Sequence, residues 1–371
     1  MAGLYVHVPF RRARRSYDDS DYVAPDDLDF GRYTTALCRE MRYFVSSNTN
    51  EEAPTTLYVG GGRPSLLPLS TARSILAALR EAIAPSALME TTVEVNPADA
   101  TPRTLRALSQ LGVDRLSLAI LSFSPAVLQA VGAPHSADDA RRALDAVRRA
   151  GFATWSIDLL FGVSDQSLST WTKTLQRAVG QRVPHIAIIE APPGSNEPGI
   201  RADQLEQAMM LLGAEGYEQY ELTHFALPGH RSLHQENYYA HGSYLGVGPS
   251  AESFWRSSEG DATRARRWRN VSAIDRYANL LRRRHPPITY RQTLNQHALA
   301  QEYVLLRLRT SEGLDLHRLR NEYDLDLRAT SADLLDRLRN DELIHDDPNR
   351  IRLTARGRLL TDAITQRLLS F

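Results

Sequence analysis

Thr56-Leu57-Tyr58-Val59-Gly60-Gly61-Gly62-Arg63-Pro64-Ser65-Leu66-Leu67 is an apolar run that breaks on a glycine triplet. An amphipathic stretch over Ser70–Ala84 follows it. The run reads as a strand, the triplet as a turn and the stretch as a helix. The same unit recurs on both sides. Apolar strand runs are expected at Leu4–Val8, Thr56–Gly60, Thr91–Val95, Arg115–Leu121, Thr154–Phe161, His185–Glu190 and Gln219–Thr223. Helical patterns fall between them at Pro102–Leu111, Ala137–Ala150 and Ser169–Val179. Thr101-Pro102 is a helix start, with proline in the first turn. Strands joined by helices favour a parallel sheet, because each parallel crossover needs a dozen or more residues. The expected fold is therefore α/β, a complete or partial (β/α) barrel with its chemistry at the C-terminal strand ends.

The pattern changes after about residue 225. Residues 226–270 read as loop-rich, with Gly229, Gly242, Gly246, Gly248 and Pro249 close together. From Ile274 the chain reads helical up to His285-Pro286-Pro287. A last unit places helices at Ala298–Arg309, Leu316–Tyr323 and Ser331–Asn340 before Arg350-Ile351-Arg352-Leu353 and a final helix, the order of a winged-helix-like module. The expected division is 1–225, 226–290 and 291–371. No short-period repeat or low-complexity segment stands out.

Composition narrows the function classes. Lys+Arg 44 against Asp+Glu 44 removes any global electrostatic case for nucleic acid or an anionic membrane. No N-terminal apolar signal core and no long apolar run is present, so a soluble cytoplasmic protein is expected. Cys38 is the only cysteine, which excludes an internal disulfide and any all-cysteine metal site. Its setting in a helical pattern predicts a buried, inert thiol.

Several stretches together resemble the HemW branch of the coproporphyrinogen-oxidase-like radical SAM family. Leu4-Tyr5-Val6-His7-Val8-Pro9-Phe10 is similar to the family's opening strand. There the phenylalanine is followed by Cys-x-x-x-Cys-x-x-Cys, whose thiolates hold a four-iron cluster while S-adenosylmethionine chelates the fourth iron. Here the ligand positions fall on Arg11, Arg15 and Asp18, and Tyr17 and Asp19 keep the surroundings. Arginine stays protonated and cannot ligate iron, and one aspartate cannot hold a cluster. Two readings of the replaced loop stay open: a solvated basic loop, or an anion site built on arginine forks.

The glycine triplet resembles the family's Gly-Gly-Gly-Thr-Pro-Ser-Leu-Leu element, which approaches the methionine amino group. The family threonine is Arg63 here, a bulky cation beside the expected ligand. The resemblance carries the cofactor site onto Tyr5, Gly60, Gly61, Gly62, Glu94 and Asp158. It also marks losses: the contacting glutamine is Leu121, and the arginine before His135-Ser136 is Ala133. Losing two such hydrogen bonds, each worth about 1.5–3 kcal/mol, together with the cluster's chelation, should abolish ordinary cofactor affinity. The four-iron cluster and S-adenosylmethionine are thus expected not to bind, and Glu94 and Asp158 read as vestigial.

Gln219-Tyr220-Glu221-Leu222-Thr223-His224-Phe225-Ala226 resembles the family's Tyr-Glu-hydrophobic-x-Asn-Phe-Ala element. His234-Gln235-Glu236-Asn237-Tyr238-Tyr239 resembles its heme-associated His-Asn-x-x-Tyr-Trp. His234 is the candidate heme ligand, with His230 and His241 as neighbours that could serve; a polar loop residue is the alternative. Tyr244–Ala251 also matches, but the next family histidine is Glu252. In the last module Arg318, Arg320, Arg337 and Arg339 alternate with acids, which suits a solvated helix face better than a phosphate stripe. The resemblance implies a HemW-like heme-binding or chaperone-like protein. Its partner would be a heme acceptor or an intact paralogue. The alternatives are a coproporphyrinogen III oxidase-like enzyme and a pseudoenzyme acting as partner or regulator.

Overall fold

The structure is a computed structural model that describes residues 2–11, 30–47, 53–83, 88–192, 198–259 and 262–370. Arg15 and Asp18, two of the three cluster-ligand positions, lie outside the described residues, as do Tyr17 and Asp19.

Six parallel strands form the frame: β1 (Ala2–Val8), β2 (Pro54–Gly61), β3 (Glu90–Val95), β4 (Arg115–Leu121), β5 (Thr154–Phe161) and β6 (His185–Glu190). Side chains alternate across a strand, so each presents two different faces. Leu4, Val6, Leu57, Val59, Val93, Leu116, Leu118, Ile157, Ile186 and Ile188 share one apolar cluster with the helices that cover the outer face. These crossover helices are Phe30–Ser47, Leu69–Ala82, Pro102–Gln110, Ala137–Ala150 and Leu168–Gly180. Ala137–Ala150 illustrates the local logic. Ser136 and Asp139 form a capping box, Ala140, Ala143, Leu144 and Val147 are buried, and Gly151 ends the helix with φ 74°.

The sheet continues beyond the parallel core. β7 (Glu218–Glu221) and β8 (His224–Ala226) add antiparallel to β6 in the order β6-β8-β7. On the opposite side β9 (Tyr244–Val247) pairs parallel with β1, and β10 (Glu252–Glu259), β11 (Ala262–Asn270) and β12 (Ile288–Leu294) extend it antiparallel. This corrects the loop-rich reading of 226–270, which holds a short helix, Leu233–Tyr239, and three strands. The glycines there serve close strand crossing. A Cβ at Gly246 would stand 2.1 Å from the Glu252 carbonyl oxygen, and Gly248 has φ 106°. β12 escaped notice because five of its seven residues are exposed, so it carries no apolar alternation.

Glu40 fastens helix Phe30–Ser47 to this extension. Its buried carboxylate accepts from Gly248 N–H at 2.8 Å, Asn270 Nδ2 at 2.6 Å and the Tyr277 hydroxyl. Burial pushes its pKa up to about 7 against these three hydrogen bonds. Cys38, on the same helix, is half-buried rather than buried, and burial raises its thiol pKa. The C-terminal part packs Gln296–Leu308, Leu316–Tyr323, Ala332–Asn340 and Thr361–Leu368 around a second apolar cluster. A two-stranded pair, β13 (Leu314–Asp315) with β14 (Arg350–Ile351), completes the helical, winged-helix-like module.

Candidate functional site

Opposite the apolar face, the alternate residues of the parallel strands form a polar inner face. Tyr5 and His7 of β1, Tyr58 of β2, Thr92 and Glu94 of β3, Ser117 of β4, Asp158 of β5 and His185 of β6 all point away from the covering helices, by strand alternation.

At the C-terminal strand ends the sequence-predicted residues come together. The Tyr58 hydroxyl donates to Glu94 Oε1 at 2.9 Å, and Gly61 N–H donates to Glu94 Oε2 at 3.1 Å. Tyr5 stacks on Tyr58 at 6.1 Å and bonds His7 Nδ1 through its hydroxyl at 3.1 Å. The glycine triplet makes this closeness possible. A Cβ on Gly60 would meet Glu94 Oε1 and the Tyr58 ring at 2.7 Å, and one on Gly61, where φ is 110°, would meet the His7 ring at 2.7 Å. Gly62 N–H donates to the Val8 carbonyl at 2.7 Å. The backbone groups expected to meet a ligand therefore meet the protein's own side chains and carbonyls.

Leu121 and Ala133 also converge. Leu121 is buried with φ 61° in a cluster with Val127, Leu128, Val131, Leu160 and Val163, and Ala133 packs against it. Positions where the family pattern has glutamine and arginine thus form one apolar patch. Arg63, the bulky cation expected beside the ligand, turns to a partner within the protein. It is buried and forks onto Asp99, Nε to Oδ2 and Nη2 to Oδ1 both at 2.7 Å, while Ser65 Oγ donates to Asp99 at 2.6 Å. Arg11 is only 2% exposed, which departs from the solvated-loop reading at that position.

Among the described residues Asp158 receives only long hydrogen bonds, from Ser117 Oγ at 3.4 Å to each oxygen. Burial, aided by the Glu94 charge, raises its pKa to about 7. The folded state thus favours the protonated acid, a stability contribution present in full below about pH 4 and lost as pH rises through 7. Asp158→Asn should remove this loss, so its melting temperature relative to the parent should climb from pH 5 to pH 8. Thermal melts across that range check it; a pH-independent difference contradicts it. Glu40 titrates in both proteins and cancels.

His234 lies under this group rather than in a loop. It is fully buried on helix Leu233–Tyr239 and stacks on Tyr58 at 5.1 Å. Nδ1 bonds Thr56 Oγ1 at 2.8 Å and Nε2 bonds the Tyr238 hydroxyl at 2.9 Å. Burial lowers its pKa to about 3, which keeps it neutral. Iron ligation there would require breaking one of these bonds and opening the cover. The neighbouring His241 is also buried, with Nδ1 on the Tyr323 hydroxyl at 3.0 Å and Nε2 3.4 Å from Glu302.

Comparison with known proteins gives this arrangement a family. Residues 39–178 match the radical SAM superfamily and residues 294–360 match the HemN C-terminal domain. A Mycobacterium tuberculosis (strain ATCC 25618 / H37Rv) protein named heme chaperone HemW is 29% identical, covering 99% of this chain and 94% of that one. The Bacillus subtilis (strain 168) protein of the same name is 25% identical, over 98% of each. The solved structure of coproporphyrinogen III oxidase (HemN) from Escherichia coli superposes with a TM-score of 0.82 at 22% identity, covering 100% of this chain and 90% of that one. The chain is a HemW-like member of the radical SAM family.

In this HemW-like chain the sequence reading missed a second polar group, at the N-terminal strand ends. Arg115 is 1% exposed and donates to Thr154 Oγ1 at 3.2 Å and the His230 carbonyl at 3.1 Å, with its Nε 3.9 Å from Glu90. His230 Nδ1 bonds Thr154 Oγ1 at 3.0 Å. His185 bonds the Tyr220 hydroxyl through Nε2 at 2.8 Å, and its buried Nδ1 has no partner among the described residues. Burial and the Arg115 charge hold His185 neutral, well below the usual imidazole range. Glu221 and His224 stand beside it on β7 and β8. The available signal was polar residues at every second strand position, weak because each strand contributes only one or two.

Proposed function

We propose that this HemW-like chain is a heme-binding, chaperone-like protein that works without iron–sulfur or S-adenosylmethionine chemistry. The observation that carries it is the length of the likeness: relatives named heme chaperones align with 98–99% of the chain.

The donor chemistry speaks against a cluster. Arg11 occupies one ligand position as a buried cation, and the lone cysteine sits on helix Phe30–Ser47, outside the loop. S-adenosylmethionine fits poorly for a related reason. Glu94 and the glycine triplet are engaged with Tyr58, His7 and Val8, and Leu121 and Ala133 offer only apolar surface. Heme needs less of the protein: a neutral imidazole and aromatic cover, both supplied in quantity around helix Leu233–Tyr239. A heme chaperone implies an acceptor protein, and an intact paralogue is a second partner class for a chain of this kind. Nucleic acid is not among the partners we propose. Arg318 pairs with Glu322 at 3.0 Å, Arg339 with Asp336 at 2.6 Å and Arg320 with Asp326 at 3.5 Å, so the C-terminal arginines are largely compensated. Among the described residues no helix is long and apolar enough to cross a membrane. We place the chain in the cytoplasm.

Titrating the purified protein with heme should give a Soret change that saturates at a defined stoichiometry. A response that rises without saturation, matching heme alone in buffer, would sink the reading.

A further inference from the structure

Residues 264–291 hold nine arginines and a single acid, Asp275, in a chain whose total charge is zero. The segment runs through β11, helix Ile274–Arg282 and half of β12. Few of these charges are matched nearby. Arg267 pairs with Glu302 at 2.9 Å, Arg269 stands 3.9 Å from Glu252, and Asp275 is itself taken by Arg32 at 2.6 Å. Arg264, Arg266, Arg291 and the run Arg282-Arg283-Arg284 are exposed and have no ion-pair or hydrogen-bond partner among the described residues. Positive charge gathered in this way is a local field that the net charge hides.

Strand pairing sets three of these arginines in one row. Arg291 of β12 opposes Trp268 of β11, and Thr293 opposes Arg266. Opposed residues share a face and alternate residues of a strand return to it, so Arg264, Arg266 and Arg291 project together. Trp268, on that face, is buried in the main apolar cluster and anchors β11. Guanidinium groups at alternate strand positions suit carboxylates presented at the same spacing, each held by a two-pronged hydrogen bond.

The edge of the sheet is an independent observation. The twelve-stranded sheet begins at β12, which pairs with β11 alone among the described strands. Thr289–Thr293 are exposed, and no described turn, loop or cap hydrogen bond uses their backbone. In an antiparallel strand alternate backbone groups point away from the neighbour, so this side of β12 presents an open ladder of about five residues, roughly 17 Å long. Open edges take extended peptides as additional strands. Exposed charges on an edge also guard against chance pairing. A guard disfavours any added strand, whereas a row of arginines favours an acidic one.

We propose that the β12 edge, flanked by Arg264, Arg266 and Arg291, binds an extended acidic segment of a partner protein by strand addition. Nucleic acid or an anionic lipid surface would use the arginines but not the open ladder, and the ladder is what favours a peptide. The proposal does not depend on heme binding.

The probe is a fluorescein-labelled peptide of about ten residues in which threonine and glutamate alternate, β-prone and acidic at every second position. Its control alternates proline and glutamate, which keeps the charge and removes the N–H groups that a ladder needs. Fluorescence anisotropy with the full chain should show saturable binding of the first, at least about tenfold tighter than of the second, since several backbone hydrogen bonds separate them. Binding should weaken as salt rises from about 50 to about 500 mM. The triple variant Arg264→Ser/Arg266→Ser/Arg291→Ser changes exposed positions and should keep the parent's circular-dichroism spectrum and melt. It should bind the threonine–glutamate peptide at least about fivefold more weakly, the scale of a few exposed charge pairs. Equal binding of the two peptides would reduce the surface to charge attraction, and no saturable binding of the first would leave the edge unused; either overturns the proposal. So would tighter binding of a short DNA duplex or of phosphatidylglycerol vesicles than of the peptide. A dimer seen in sedimentation and abolished in the triple variant would give the edge to a second copy of this chain and overturn it likewise.

Discussion

Glu90→Ala should lower the stability of this protein by about 3–5 kcal/mol, the range for removing one partner of a buried charge pair. Glu90 is 5% exposed, and its oxygens accept from Thr92 Oγ1 at 3.3 Å, Ser232 Oγ at 3.1 Å, Leu233 N–H at 3.0 Å and His234 N–H at 3.1 Å. It is also the carboxylate nearest the buried Arg115 guanidinium. Alanine would leave that cation uncompensated and strip the first turn of helix Leu233–Tyr239 of its acceptor. Denaturant unfolding followed by circular dichroism reads the loss. A change below about 1 kcal/mol, the range of a solvent-exposed pair, would mean that water already compensates Arg115.

Leu121→Gln puts back the residue that the family pattern expects, and it should harm rather than restore. Position 121 is 1% exposed and surrounded by Val127, Leu128, Val131, Leu160 and Val163, with Ala133 where a cationic partner would stand. An amide buried there without a partner costs about 1–3 kcal/mol, to which the altered packing adds. We expect a lower denaturation midpoint and no heat of S-adenosylmethionine binding in calorimetry. A stable variant that acquires the cofactor would mean that Leu121 alone closed the site. The account holds instead that cluster loop, Arg63, Leu121 and Ala133 changed together, so no single reversal reopens it.

Much of the parallel core was legible because one face of each strand is a regular apolar row. The strand at His185–Glu190 and the helix at Ala137–Ala150 were placed to the residue, and the structure caps that helix with Ser136, Asp139 and Gly151. Motif spacing put Tyr5, the glycine triplet and Glu94 in one neighbourhood, and the structure brings them together. What escaped depends on distant pairing. Glu90 meets Leu233 and His234 across more than 140 positions of chain, and no local pattern signals it. The Arg63–Asp99 pair escaped because Asp99 belongs to the next strand–helix unit. β12 was hidden by its exposure, and residues 226–270 by glycines that mark close strand crossing as readily as loops.

The central claim is heme handling without a cluster, and one sample tests both halves. The protein is incubated anaerobically with iron, sulfide and reductant, desalted, assayed for bound iron and sulfide, and then titrated with heme under an optical beam. The account predicts no retained iron or sulfide and no cluster absorption, followed by a saturable Soret band. Retention of matched iron and sulfide with a cluster spectrum would contradict it, because Cys38 and an arginine-bearing loop would then be holding a cluster that their chemistry forbids.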